Sequence, residues 1–205
     1  GTDLFYSIPY DICKNNILVT INLLDFLSKI KVSKLIYSST SEVYSGAEKF
    51  NLLKFPTKEN VPVVFPQPTD ARYSYATSKF LGEFLTLQFG KENNVSSSVI
   101  RFHNIYGPRM GNKHAIPQIL NKILKNNKVL KIIGLNETRS YCYIDDAVLA
   151  LYKLSNKSVG KFKIIHIGNS KEEITSKNLA KKMLKITGKK LKILNIASRS
   201  SSVKR

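Results

Sequence analysis

The stretch LIYSSTSEVYS, residues 35 to 45, decides how the rest of the chain is read. Leu35, Ile36 and Tyr37 form a short apolar run of the kind that fills a buried strand. Ser38, Ser39, Thr40 and Ser41 follow, then one carboxylate, Glu42, and the pair Val43–Tyr44. Four hydroxyls and an acid at the end of a core strand describe either a polar loop at a sheet edge or one wall of an active site. The flanking sequence separates the two.

Upstream, apolar residues recur at helical spacing between Pro9 and Ile30 (Ile17, Ile21, Leu24, Leu27), which predicts an amphipathic helix. A short turn, KVSK, leads from it into the strand. Downstream, residues 46–71 read as an irregular, Pro-containing loop. Residues 74–92 then read as a second helix, with Phe80, Phe84, Leu85 and Phe89 as its buried stripe. SSSVIRF, residues 96–102, has β composition and is broken by YGPRMG. Helix–strand–helix–strand alternation predicts an α/β layer built on parallel strands.

After Gly111 the expected elements shorten. They are a helix near 115–125, strands near 129–133 and at RSYCYI, and a helix from Asp145 whose paired acids suit its N-terminus. A strand at FKIIHIG, a helix near 174–187 opened by Thr175 or Ser176, and a strand near 191–195 complete the chain. Two regions are expected, 1–110 and 111–205, the second able to interleave with the first.

Bulk properties limit the classes of function. At 205 residues and 42% hydrophobic content the chain can bury a real core, and no run of about 18 apolar residues could cross a bilayer. The opening GTDLFYSIPYDI has neither the basic start nor the apolar core of a signal peptide. Cys13 and Cys142 lack metal-ligand spacing; buried thiols in a reducing, cytoplasmic setting are expected. The formal charge of +19 raises nucleic acid as a partner. However, only six of the 33 basic residues are Arg, and the lysines are spread over helices and turns with few aromatics between them. A solvated lysine surface is the preferred reading, with a taste for anionic small ligands second and nucleic acid last.

The chemistry is concentrated in YSYATSK, residues 73–79. Tyr75 and Lys79 are four apart on an expected helix and so share a face. A phenol titrates near pH ~10, too high for a base at neutrality. A neighbouring ammonium favours the phenolate and is expected to lower that value. So tuned, Tyr75 could take the proton from a sugar hydroxyl while hydride leaves the same carbon. The pattern Y-x-x-x-K is common by chance, and an accidental pair on an exposed helix is the bland alternative.

Context lifts it above chance. NNILVTINLLDFL, KLIYSSTSEVY, YSYATSK, RFHNIYGPRMG and TRSYCYIDDA occur in one order over nearly the whole chain. Together they resemble the NAD-dependent epimerase/dehydratase family, the extended short-chain dehydrogenases that act on nucleotide sugars. The resemblance implies a Rossmann-type parallel sheet with helices on both faces, only partly present here, and a smaller α/β substrate-binding unit. It implies NAD as cofactor, a UDP- or dTDP-sugar as substrate, no membrane partner, and a homodimer formed through helices like those at 10–30 and 74–92.

Site roles follow by the same resemblance. Thr40 matches the hydroxyl that bonds the sugar oxygen being oxidised, Tyr75 the base, and Lys79 the lysine that holds the nicotinamide ribose. Glu42 matches a second acid–base group. Asn15 matches a cofactor-contacting asparagine, with Asn16 as its alternate, and Ser38, Ser39, Phe102 and His103 line the cofactor side. Asn104 matches a residue facing the substrate diphosphate, His114 a substrate contact, and Arg139 and Arg199 phosphate-binding arginines. A polar loop residue is the ordinary alternative for His103 and His114, and a surface ion pair for Arg139.

The resemblance also sets what is missing. The ten glycines contain no G-x-x-G-x-x-G turn, the element that seats a dinucleotide pyrophosphate on a helix N-terminus. The chain is therefore expected to be a fragment lacking the first part of its Rossmann domain, and to bind NAD weakly or not at all by itself. The triplet Thr40-Ser41-Glu42 bears on the reaction. In the 4,6-dehydratases of this family an Asp follows the Thr and protonates the departing hydroxyl; Ser41 cannot do so at neutral pH. Thr-Ser-Glu resembles the UDP-glucuronate decarboxylases, whereas 4-epimerase triplets often lack the acid. A non-enzymatic basic RNA-binding module and an inactive remnant are the readings of another class.

Overall fold

The computed structural model describes residues 3–126, 128–156 and 161–196. Helices α1 (Asp3–Ser7) and α2 (Pro9–Leu27) precede strand β1 (Lys34–Thr40). A 3-10 turn over Ser41–Tyr44 runs into α3 (Ser45–Lys49), and α4 (Ser74–Glu92) and β2 (Ser96–Phe102) follow. Next come β3 (Ile105–Tyr106), α5 (Ala115–Lys125), β4 (Val129–Ile133), β5 (Thr138–Arg139) and β6 (Cys142–Tyr143). The described chain ends with α6 (Ile144–Asn156), β7 (Lys163–Ile167), β8 (Ile174–Thr175), α7 (Ser176–Thr187) and β9 (Lys192–Ile196).

Two compact units result. The first is the chain through His103 together with Asp145–Ile167; the second is Asn104–Ile144 and the chain from Gly168 onward. The units interleave, and the first break falls seven residues before the boundary expected after residue 110, at the end of β2 and not at the YGPRMG turn. The segment from Asp145 returns because β7 completes the sheet of the first unit.

That sheet is parallel throughout, in the order β1-β2-β7. Tyr37 pairs with Val99, Ser39 with Arg101 and Thr40 with Phe102; on the other side Arg101 pairs with His166 and Phe102 with Ile167. The hydroxyl-rich end of β1 therefore lies level with Phe102. Pro9 opens α2, where its fixed φ and missing N–H cost nothing. Only Leu24 of the expected α2 stripe is buried, and Ile21 is exposed.

Helix α4 departs from expectation in an instructive way. Its buried positions are Ala76, Ser78, Gly82, Glu83, Thr86 and Gly90, whereas Phe84 is 54% exposed. At Gly82 and Gly90 the helix lies too close to the sheet for any side chain. A Cβ at Gly82 would fall 2.1 Å from the Tyr37 hydroxyl, and one at Gly90 2.1 Å from Ser97 Oγ. Five small residues and Glu83 are the buried positions, and Phe80, Leu85 and Phe89 of the expected stripe are half-buried.

Two further expectations change. The loop drawn from residue 46 begins later, because Ser41–Lys49 winds into a 3-10 turn and a short helix. RSYCYI is not one strand: β5 pairs antiparallel with β8, and β6 pairs parallel with β3. The second unit has its own core, Ile119, Ile123, Leu130, Ile132 and Ala180, with β4 and β9 paired in parallel. Thr175 caps α7 by accepting from the Asn178 amide at 3.1 Å, and Gly188 ends it at φ +67°. Cys142 is buried; Cys13 is half-buried and its thiol donates to the Ser74 carbonyl at 3.0 Å.

Candidate active site

The end of β1 and the start of α4 build the site in the first unit. Thr40, last residue of β1, accepts at Oγ1 from the Glu42 amide at 3.2 Å, which starts the 3-10 turn and carries Glu42 back over the strand end. Asp70 caps the turn ahead of α4 by accepting from the Arg72 amide at 3.1 Å. Tyr75 and Lys79 then fall one turn apart on α4.

Tyr75 sits among Thr40, Glu42, Tyr37 and Phe5. The Phe5 ring stacks on it at 5.3 Å with planes 7° apart. Its phenol is pushed above the ordinary tyrosine value, first by burial, then by the Glu42 carboxylate and by Tyr37; a hydrogen bond with Thr40 pulls the other way. This reverses the lowering expected from Lys79. That ammonium lies 4.5 Å over the centre of the Tyr37 ring, and burial holds it below the ordinary lysine value while Glu83 draws it up. Among the described lysines only Lys34, Lys79 and Lys189 are not exposed, so Lys79 is set apart from the solvated ones.

Behind this wall runs a buried network that the sequence reading missed. Glu83, one turn after Lys79, accepts from Ser39 Oγ at 2.5 Å and from Arg101 Nε and Nη2 at 2.9 and 2.5 Å. Arg101 Nη1 donates to the Tyr44 hydroxyl at 2.5 Å, and that hydroxyl is 2.8 Å from His166 Nε2. The His166 ring packs on His103 at 4.5 Å between centres. Burial pushes His166 below the ordinary histidine value. The spacing of Lys79 and Glu83, opposite charges four apart on one helix, was the available signal.

The remaining expected residues are placed as follows. Ser38 is exposed and Ser39 buried, as alternation along β1 requires. Asn15 is exposed on α2, whereas Asn16 Nδ2 donates to Ser78 Oγ at 2.9 Å. Phe102 is half-buried at the end of β2, and the His103 amide donates to the Ile167 carbonyl at 2.9 Å. In the second unit Asn104 takes φ +44° and its Nδ2 donates to the Ser140 carbonyl at 3.1 Å. His114 is exposed at the N-terminus of α5, and Arg139 lies 3.4 Å from the Glu137 carboxylate. Arg199 lies outside the described residues. Among the described residues no cluster of His, Cys, Asp and Glu could hold a metal ion, and no helix is long and apolar enough to cross a membrane.

The site therefore joins the end of a parallel-sheet strand, at Thr40, to the first turns of α4, which carry Tyr75 and Lys79. The model of the NAD dependent epimerase/dehydratase family matches residues 3–168. The chain belongs to that family.

Its family relatives differ in named reaction. A dTDP-D-glucose 4,6-dehydratase of Dictyostelium discoideum is 33% identical over 182 residues, covering 85% of this chain and 40% of its own. A UDP-N-acetyl-alpha-D-glucosaminuronate decarboxylase of Bacillus cytotoxicus is 29% identical over 166 residues, covering 80% and 49%. The crystal structure of a UDP-glucose 4-epimerase with UDP-glucose from Thermotoga maritima superposes with a TM-score of 0.84 at 27% identity, covering all of this chain and 63% of that one. The chain spans about half the length of the curated relatives it matches, 52%, 40% and 49% in three of them.

Proposed function

We propose that the protein is an NAD-dependent enzyme that modifies nucleotide sugars by first oxidising C4, and that its reaction is the decarboxylation of UDP-glucuronate. The observation that carries the reading is Glu42 beside Tyr75 in a Thr-Ser-Glu triplet, near enough to raise the phenol's pKa.

The residues fit the nicotinamide and ribose end of the cofactor. Lys79 and Tyr75 would hold the ribose, with Asn15 or Asn16, Ser38, Phe102 and His103 around it, while the Ser39 hydroxyl is turned inward onto Glu83. No glycine turn for the pyrophosphate occurs in the sequence. Bound NAD would supply the acceptor for the C4 hydride and the donor that later returns it. Tyr75, as phenolate, removes the proton of the C4 hydroxyl, and Thr40 orients that hydroxyl by hydrogen bonding. Once C4 is a ketone, a carboxylate on C5 lies β to it, and carbon dioxide can leave with the ketone as electron sink. Glu42 delivers to C5 the proton that replaces the departing carbon dioxide, so that loss and protonation are one coupled step. Asn104, His114, Arg139 and Arg199 are proposed as contacts to the sugar and diphosphate, Arg139 through its guanidinium fork. The exposed apolar side chains of α2 and α4, including Val19, Phe26 and Phe84, support a homodimer.

A 4-epimerase is the second reading, supported by the superposition of all of this chain on 63% of an epimerase. Dehydration is disfavoured by Ser41. The test is to supply the full-length protein with UDP-glucuronate and NAD and to look for carbon dioxide and a UDP-pentose. Release of both is expected, and Glu42→Gln should stop it while sparing the first hydride transfer. Turnover of a UDP- or dTDP-hexose with no carbon dioxide from the uronate would overturn the reading.

A further inference from the structure

Arg72 has no role in the reaction as derived so far, yet it is seated against the residues that do. Its Nη2 donates to Glu42 Oε2 at 2.5 Å. Its guanidinium carbon lies 5.4 Å from the centre of the Phe5 ring, the ring whose plane stacks on Tyr75. The Arg72 side chain is 13% exposed and that of Glu42 35%. The other terminal nitrogen, Nη1, is buried with no hydrogen-bond partner among the described residues.

An exposed ion pair would contribute little and could be dismissed as surface decoration. This one is different on two counts. Taking a guanidinium out of water and leaving one nitrogen unbonded costs free energy that a single carboxylate contact does not clearly offset. In addition, three separate contacts fix the arginine: the Asp70 carboxylate bonds its backbone amide, Phe5 faces its guanidinium, and Glu42 receives its Nη2. A planar fork held this way sets the direction of the carboxylate it bonds, which a flexible ammonium would not do.

We infer that Arg72 is a positioning residue that fixes the Glu42 carboxylate beside Tyr75. The inference rests on the reading of Glu42 as the group acting after C4 oxidation. In that sequence of events Arg72 is not needed for the hydride step and is needed for the proton step that follows.

The test compares R72Q, R72K, E42Q and the double variant E42Q/R72Q in the full-length protein, with UDP-glucuronate as substrate. Carbon dioxide release and the absorbance of reduced nicotinamide are followed in a single turnover. R72Q is expected to slow carbon dioxide release about 100-fold, the scale of a misplaced catalytic group, while reduced nicotinamide forms no more slowly than in the wild type and accumulates. R72K should recover part of the loss, and the double variant should be no slower than E42Q. Wild-type release by R72Q or R72K would overturn the inference, as would losses that multiply in the double variant. R72K, which keeps the charge and the stem, carries the test if R72Q does not fold. If E42Q itself releases carbon dioxide normally, the failure lies in the reading of Glu42.

Discussion

Tyr75 is pulled in two directions by its neighbours. Burial and the Glu42 carboxylate favour the phenol, and Thr40 favours the phenolate. Because the base is the phenolate, the limb of the pH–rate profile that reports it rises with pH. Removing the Glu42 charge removes a cause of the raised value, so in E42Q the hydride-transfer limb should move to lower pH. A limb that stays put or moves up would show that Glu42 does not face the phenol in the working enzyme. Tyr75→Phe removes the base altogether and should lower hydride transfer at least 100-fold, within the usual worth of general base catalysis. At this scale the sequence is legible in part. Tyr75 and Lys79 stand out by type and spacing, because a phenol and an ammonium one helical turn apart must share a face, whereas Thr40 is singled out by the family resemblance. The direction of the Tyr75 shift was not legible. It depends on which side chain lies closest in three dimensions, and Lys79 spends its proximity on the Tyr37 ring.

At the scale of elements, α4 is fastened to the sheet by a buried ion pair as well as by close packing. Glu83 and Arg101 are both almost wholly buried, with Ser39 and Tyr44 completing their hydrogen bonds. Removing one partner strands the other charge, so Glu83→Gln or Arg101→Met should each cost about 3–5 kcal/mol of stability. The pair of changes made together, Glu83→Leu with Arg101→Met, should cost less than either alone, read from urea unfolding midpoints. Single variants with unchanged midpoints would mean that the network is not stabilising the helix. The boundaries of α4 and β2 were readable from breakers and β composition, but the buried face of α4 was not. A phenylalanine stripe signals burial only where the partner surface leaves room. Here Tyr37 and Ser97 leave room for glycine.

On the scale of the whole molecule, the charge and the segmentation raise separate questions. Every described lysine except Lys34, Lys79 and Lys189 is exposed, and we propose that they form a solvated basic surface without a built nucleic-acid site. Binding of single-stranded RNA should therefore be sequence-independent and should fall steeply with salt, vanishing near about 0.2 M. Retention of one sequence over others at that salt would favour the basic-module reading. The order of the longer helices and strands was plain from periodicity and β composition, and so was the parallel sheet of the first unit, whereas α1, α3, β3 and β8 were not. That the chain leaves the first unit after His103 and re-enters it at Asp145 was not, because a crossover between units has no periodicity of its own.

The account stands on one chemical claim, that the wall made by Thr40, Tyr75 and Lys79 oxidises a nucleotide sugar at C4. The direct measurement uses UDP-glucuronate carrying deuterium at C4, incubated with the full-length protein and NAD in a single turnover. Deuterium carried transiently on the nicotinamide ring before it returns to C4 of the product, with that transient lost in Tyr75→Phe, is the predicted result. Product that forms with the label still at C4 throughout and none on the cofactor would contradict it.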